Sequence, residues 1–430
     1  MNFTSRSEVA AMMLSPFDGS LDGHESGLER PVRELSKREL LVDVSVILRN
    51  DSQTGIQRVV RALLGALLDA DIEGYVVRPV FATRKDSYVY VDWGASLLMG
   101  RVPPVLVPSG LVEARKGDIF LGLDLAANIL PRHQRQITRW QRNGCLIATV
   151  MYDLLPEQRP DWFNPKTRRN YRRWLRVVTR RSDRIICISQ DVAQKLEAWI
   201  AARPWRGNAR LQIDCMRLGS DISSSAPTTG LPADAVPLLA EFAMRRTLLV
   251  VGTIEPRKGH ACLLPAFDLL WQEPSCDDLS LVFVGRVGWQ TEALQARIRA
   301  HPEAGRRFFW FDNASDEFLS HLYSLAHGVI VPSLAEGFGL PLVEALGHGV
   351  PVLARDLPVF RAMNLAKVTY FSQDAASALA DSIRGWLDHG ASATSGEENP
   401  LPTWRDSFLD ILSCLSIKEH EVPHKEGILE

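Results

Sequence analysis

The chain has 430 residues, enough for two or three domains that each bury a core. An apolar fraction of 46%, a charged fraction of 23% and a net charge of -2 are ordinary for a globular protein, so bulk charge selects neither nucleic acid nor membrane. No run approaches the roughly 18 apolar residues of a membrane-spanning helix, the opening MNFTSRSEVAAMMLSPFDGS lacks the order of a secretory leader, and six scattered cysteines without a CxxC pair argue for buried thiols in a reducing cytosol rather than disulfides or zinc.

Residues 1–38 are mixed and charged, and read as a loose extension. Strands are expected at 40–48, 75–81, 118–125, 145–153 and 183–189, several of them apolar along their whole length. DVSVILRNDSQTGIQRVVRALL (43–64) reads as strand, loop and helix. Gly55 opens the helix, Thr54 can cap it, and Ile56, Val59, Val60, Leu63, Leu64, Leu67 and Leu68 keep the helical period. PRHQRQITRWQR places Arg132, Arg135, Arg139 and Arg142 on one helix face. Between Lys166 and Arg184 nine basic residues stand against one acid, Asp183, with Trp174, Leu175, Val177 and Val178 interleaved. Such a surface suits an anionic partner: a membrane into which those apolar residues dip, a lipid diphosphate, or nucleic acid. A solvated basic face is the plain alternative.

A Ser-, Pro- and Gly-rich stretch marks a linker at 223–246. Beyond it, strands are expected at 247–254, 279–286, 307–313, 327–333 and 349–356. Strand–helix alternation predicts parallel sheets with crossover helices. The expected organisation is an acceptor-side domain at 39–222, a second α/β domain at 247–400, and a helical tail at 401–430 whose packing against the first domain is left open. Ligands of such sheets bind at the carboxyl ends of the strands, here in a cleft between domains.

Two stretches carry the chemistry. SLAEGFGLPLVEALGHGVPV (333–352) runs from a strand through a glycine-bearing loop into a helix, with Pro341 suited to its first turn. The helix start offers N–H groups to an anion, and Gly337 and Gly339 let a ligand approach the backbone. Glu336 and Glu344 can accept hydrogen bonds from hydroxyls, so the set suits a sugar joined to a phosphate. The bland alternative is a helix-dipole partner and a solvated loop carboxylate. VGTIEPRKGH (251–260) sets Arg257 and Lys258 at a helix start, where cations are disfavoured without an anion. Neither GxGxxG nor a Walker A loop occurs, and the ten histidines form no HxxxH pair.

EGFGLPLVEALGHGVPV resembles the E-x7-E signature of glycosyltransferase family 4, the retaining, nucleotide-sugar-dependent enzymes of GT-B fold; only Ala345, Leu346 and Gly347 differ from its common form. The resemblance implies two Rossmann-like doubly wound domains facing across a cleft. It implies Glu344 on the nucleotide ribose, Glu336 on the transferred sugar, and Phe338, Gly339 and Leu340 on sugar and diphosphate. Arg257 and Lys258 would hold the leaving diphosphate. Thr253 takes the donor-facing place where many members carry arginine, and the VGTIEPRK form is similar to that of bacterial mannosyltransferases of polysaccharide or O-antigen synthesis. Gly55 matches a loop facing the diphosphate, with one glycine where many members have two. VGRVGW (284–289) is similar to a segment under the nucleotide base.

Tyr152–Asp153 is similar to the family's HDLxP segment with tyrosine in the histidine's place; Tyr152 either bonds the sugar or packs at a strand end. Arg58 either faces donor or acceptor or is a surface charge. The implied donor is GDP-mannose, the acceptor a saccharide or lipid-diphosphate-linked saccharide, with no metal and no cofactor beyond the nucleotide sugar. The implied place is the cytoplasm, with Arg132, Arg135, Arg139, Arg172 and Arg173 available to an anionic membrane's inner face. Two rivals stand beside this reading. A nucleic-acid-binding protein would bind with steep salt dependence and leave Glu336 and Glu344 without a role. An inactive GT-B scaffold fits the departures at Tyr152 and Thr253.

Overall fold

Two sets of apolar strands build two separate sheets in the computed structural model, which describes residues 37–49, 54–91, 108–203, 208, 210–389 and 400–420. The first sheet holds β1 (Arg38–Asp43), β2 (Tyr75–Phe81), β3 (Val89–Val91), β4 (Pro108–Leu111), β5 (Ile119–Gly122), β6 (Leu146–Met151), β7 (Arg184–Cys187) and β8 (Gln212–Cys215), in the order β4-β3-β2-β1-β5-β6-β7-β8. It is parallel except at the β2–β3–β4 edge. The second holds β9 (Arg246–Val251), β10 (Leu279–Val284), β11 (Phe308–Phe311), β12 (Gly328–Val331), β13 (Val352–Arg355) and β14 (Val368–Phe371), in the parallel order β11-β10-β9-β12-β13-β14. Leu40, Leu41 and Val42 in β1 and Leu279, Leu281 and Phe283 in β10 are fully buried, as strands covered on both faces require.

The helices are α1 (Gly55–Asp69), α2 (Gln134–Arg142), α3 (Pro165–Arg181), α4 (Gln190–Ala201), α5 (Ala235–Ala243), α6 (His260–Leu270), α7 (Glu292–Arg299), α8 (Asp316–Leu325), α9 (Leu340–Gly347), α10 (Ala376–His389) and α11 (Trp404–Leu415), with shorter turns between. α1 starts with a reciprocal cap between Thr54 and Gln57 and buries Val59, Val60, Leu63, Leu64 and Leu67, each contributing about 1.5–3 kcal/mol by leaving water. In both sheets the strand order reverses beside the first strand, at β1/β5 and at β9/β12. Loops diverge at such points and leave a crevice. The segments after β1, β9 and β12 carry Gly55, Arg257 and Glu336.

Several expectations change. Most of the expected loose extension, residues 1–36, and the tail end, 421–430, lie outside the described residues. Arg38 already pairs with Tyr75 in β1, and that strand stops at Asp43, whose carboxylate accepts from Ser45 N and Oγ and turns the chain. The segment read as a linker contains α5, whose Phe242 is fully buried among second-domain residues; its Ser- and Pro-rich start hides the apolar run AVPLLAEFA. Strands β3, β4, β8 and β14, of three or four residues each, are additions to the expected set. The interleaved apolar residues of the basic run do not face outward. Trp174, Leu175, Val177 and Val178 are buried in the first-domain core, with Tyr171 one turn earlier on the same side. The thiols are free, but only Cys145, Cys187 and Cys276 are buried; Cys215, Cys262 and Cys414 are half-buried.

The chain crosses between the domains near Ser220 and returns near Pro402. The passes run together: Ser220 N donates to Pro402 O at 3.0 Å, Gly219 N to Ser407 Oγ at 2.8 Å, and Trp404 Nε1 to Asp221 O at 2.8 Å. α11 then packs on α1, β7 and β8 of the first domain. Among the described residues no helix is long and apolar enough to cross a membrane.

Candidate functional site

The carboxyl ends of the two sheets face each other across a cavity of about 420 Å³. Gly55, Arg58, Tyr152 and Asp153 line it from the first domain; Thr253, Arg257, Lys258, Glu336, Phe338, Gly339, Leu340 and Glu344 line it from the second. Gly55 and Glu344, 289 positions apart, thus meet in one place.

Glu336 is the hub of one wall. It precedes α9, whose N-cap Gly339 has φ 114° and whose second residue is Pro341. Lys258 Nζ donates to Glu336 Oε1 at 2.5 Å, Arg257 Nη1 to Oε2 at 3.1 Å, and Ser333 Oγ to Oε1 at 2.8 Å. Arg257 Nε also reaches Glu255 at 2.6 Å. Burial works to raise the Glu336 pKa, but the charges of Lys258 and Arg257 overcome it and hold it at about 2. Asp153 and Glu255 go the other way: burial raises both, only partly offset by Arg257. Burial lowers and the surrounding carboxylates raise the Arg257 pKa, with the carboxylates prevailing. Two cations are therefore fixed in place, each already holding a carboxylate. Neither is a solvated helix-start charge.

The second wall centres on Glu344, which sits in the second turn of α9 and is 2% exposed. Tyr323 Oη donates to its Oε2 at 2.9 Å, and Arg58 Nη1 donates to its Oε1. Arg58 Nη2 donates to Asp316, the first residue of α8, which also accepts from Thr228 N and Oγ1 at 2.9 Å. Arg58 is thus no surface charge: it spans the domains.

Tyr152 lines the cavity, but its ring is 3% exposed and its Oη donates to Leu123 O at 2.7 Å. The hydroxyl is spent on the backbone, so the strand-end packing role holds rather than a bond to a sugar. Gly337 has a second task. Its carbonyl accepts from Ser189 Oγ of the first domain at 2.6 Å, and a Cβ on it would stand 2.1 Å from the Tyr152 carbonyl oxygen. Close approach here is between domains. Across the same seam Trp289 Nε1 donates to Trp162 O at 2.6 Å and its ring lies 5.6 Å from that of Phe163. Asp356, after β13, pairs with exposed Arg361.

Glu255, Asp316, Tyr323, Ser189 and Trp289 escape the sequence reading as individual site residues. Glu255 has a signal, as the acid beside two basic residues. Asp316 and Tyr323 have none: their roles come only from what α8 faces. Among the described residues no three His, Cys, Asp or Glu side chains form a metal-ligand set.

Residues 239–399 match the family described as glycosyl transferases group 1. The serotype-specific mannosyltransferase WbdA of Escherichia coli is 38% identical over 385 residues, 88% of this chain and 46% of that relative. The O-antigen chain mannosyltransferase B of Escherichia coli is 36% identical over 131 residues, 29% of this chain and 33% of that relative. The chain spans less than half the length of the WbdA relatives it matches. Among solved structures, Anabaena Alr3699/HepE in complex with UDP and glucose superposes with a TM-score of 0.58 at 15% identity, over 88% of this chain and 99% of that one. That likeness is one of fold: two doubly wound domains in the GT-B arrangement.

Proposed function

Because the chain carries a glycosyl transferases group 1 domain within a GT-B fold, we propose that it is a retaining, metal-independent hexosyltransferase. It moves mannose from GDP-mannose to a saccharide or lipid-diphosphate-linked acceptor in cell-surface polysaccharide synthesis. The observation that carries this reading is the pairing of Arg257 and Lys258 with Glu336 on one wall of a cavity whose other wall holds Glu344.

In this reading the diphosphate lies between Arg257, Lys258 and the N–H groups at the start of α9, and the sugar lies against Glu336. The bond from the anomeric carbon to the diphosphate breaks, and the bond to the acceptor oxygen forms on the same face. The acceptor's proton passes to the departing phosphate oxygen. Prearranged donors aimed at developing charge are worth about 3–4 kcal/mol each, and Arg257 and Lys258 are already held in place by carboxylates. Closing the domains over the sugar excludes water and favours transfer over hydrolysis.

The test is a thermal-shift panel of GDP, UDP, ADP and dTDP sugars, followed by transfer assays with and without EDTA. GDP-mannose is expected to raise the melting temperature, since a ligand bound only by the native state stabilises it, and transfer is expected to survive EDTA. If no nucleotide stabilises the protein, the reading falls.

The basic helices support one further element, an anionic membrane surface. α2 and α3 lie side by side, and Arg135 and Arg139 of α2, Arg172 and Arg173 of α3, and Arg132 in the turn before α2 are all exposed. Arg172 is partly neutralised by Glu157 at 3.0 Å. The contact would be electrostatic, without inserted apolar side chains, because those of α3 are buried. Cosedimentation with anionic vesicles that is lost with neutral vesicles and at high salt checks it.

A further inference from the structure

Arg58 stands in the first turn of α1, yet both ends of its guanidinium are held by the second domain: Nη1 by Glu344 and Nη2 by Asp316. All three side chains are largely buried, with exposures of 13%, 2% and 9%. Asp316 is braced by Thr228 and Glu344 by Tyr323, so each carboxylate is also held from within the second domain. The third guanidinium nitrogen, Arg58 Nε, is buried and its N–H has no hydrogen-bond partner. An unmatched buried donor is unfavourable, so this closed arrangement is incomplete on its own. Both Glu344 oxygens are engaged, one by Tyr323 and one by Arg58.

We infer that Arg58 is an interdomain latch, a positioning residue that closes the first domain onto the carboxylate proposed to hold the ribose. The inference rests on the assignment of Glu344 to the donor. With the latch shut and no ligand bound, a ribose has almost no carboxylate surface to reach, so the nucleotide enters with the domains apart. Closure then brings Arg58 back to Asp316 and to a Glu344 shared with the ribose. The first domain thereby registers an occupied ribose subsite without specific side-chain contact to the base. Other contacts across the seam, Ser189 to Gly337 and Trp289 to Trp162, involve a backbone carbonyl and do not depend on Glu344.

The experiment compares wild type, Arg58→Gln, Arg58→Lys and Asp316→Asn by small-angle scattering with and without GDP, and by steady-state kinetics of transfer and of donor hydrolysis. Removing one member of a buried ion pair is expected to shift the closed-to-open ratio by about a hundredfold or more. Arg58→Gln should enlarge the radius of gyration without ligand. It should lower kcat for transfer more than it changes donor KM, and raise hydrolysis relative to transfer. Arg58→Lys, able to keep one pair, should recover part of the loss. Asp316→Asn, which leaves the Glu344 carboxylate intact, should move every readout the same way by less. Unchanged scattering with a raised acceptor KM would overturn the latch and make Arg58 an acceptor residue. Failure of wild type to bind any nucleotide would instead overturn the functional reading, while the ligand-free scattering comparison would still decide the latch.

Discussion

Gly337 lies against Tyr152 so closely that a Cβ built on it would stand 2.1 Å from the Tyr152 carbonyl oxygen. No side chain can yield there, because the opposing atom is backbone. Gly337→Ala is therefore expected to hold the two domains apart by a fraction of an ångström to an ångström. Misplacement of that size in a site that needs exact alignment costs about a hundredfold in rate. GDP binding measured by calorimetry should stay within a few-fold of wild type, while kcat for transfer collapses. Full turnover in the Gly337→Ala variant would show that the seam is free to relax.

Glu336→Gln separates the two cations from their carboxylate without removing them. Because Lys258 and Arg257 hold the Glu336 pKa at about 2, the group is ionised at every working pH and contributes no acid limb to the activity profile. The substitution should abolish transfer by about a hundredfold or more at all pH values alike. GDP affinity should hold or increase, since Lys258 and Arg257 lose a competing anion. A loss of GDP affinity parallel to the loss of transfer would mean that Glu336 serves the fold of the loop and not the sugar.

Tyr323→Phe removes the hydroxyl that bonds Glu344 at 2.9 Å in a buried setting. A hydrogen bond to a charged group is worth about 1.5–3 kcal/mol, so donor KM should rise by about tenfold or more with kcat nearly unchanged. Kinetics with the donor varied at fixed acceptor check this. An unchanged donor KM would detach Glu344 from the nucleotide.

A pH effect on stability belongs to the first domain. Asp124 sits beneath the chain that leaves β1, accepting from Val46 N at 3.0 Å and Ile47 N at 2.7 Å. Burial, then the neighbouring Asp43 charge, push its pKa up to about 7, against the lowering pull of those N–H bonds. The unfolded carboxyl titrates at about 3.9. Between those values the folded state binds the extra proton, so this group's stabilisation is full below about pH 4 and is lost as pH rises through about 7. Asp124→Asn keeps an acceptor for Val46 and Ile47 but cannot titrate. Urea denaturation at pH 5 and pH 8 should show a smaller drop between the two in the variant than in wild type.

Much of this is legible in sequence because the information is local. The ten expected strands all occur, since each is a short apolar run rich in β-branched, leucine or aromatic residues. Glu336, Lys258 and Arg257 are legible because each lies within a few residues of a strand end. What escapes is non-local. Arg58 and Glu344 are 286 positions apart, and nothing in QRVV or LVEA announces the partner. Gly337 reads as room for a ligand, because a sequence does not say which backbone comes near. Trp174 reads as facing outward, although Tyr171, Trp174, Leu175 and Val178 fall on one face at helical spacing. The basic residues between them obscure that face.

The paired crossings at Ser220 and Pro402 have a mechanical consequence. A single covalent thread between two bodies permits rotation about any axis through it. Two threads bonded side by side, with Gly219 pressed onto Trp404 so that a Cβ would stand 2.5 Å from the Trp404 nitrogen, resist torsion and leave bending across the pair as the soft mode. A hinge of this kind gives any opening of the cleft one preferred direction. In the latch inferred above, that direction brings Arg58 back to the same two carboxylates, and α11 carries the second thread into the core of the first domain.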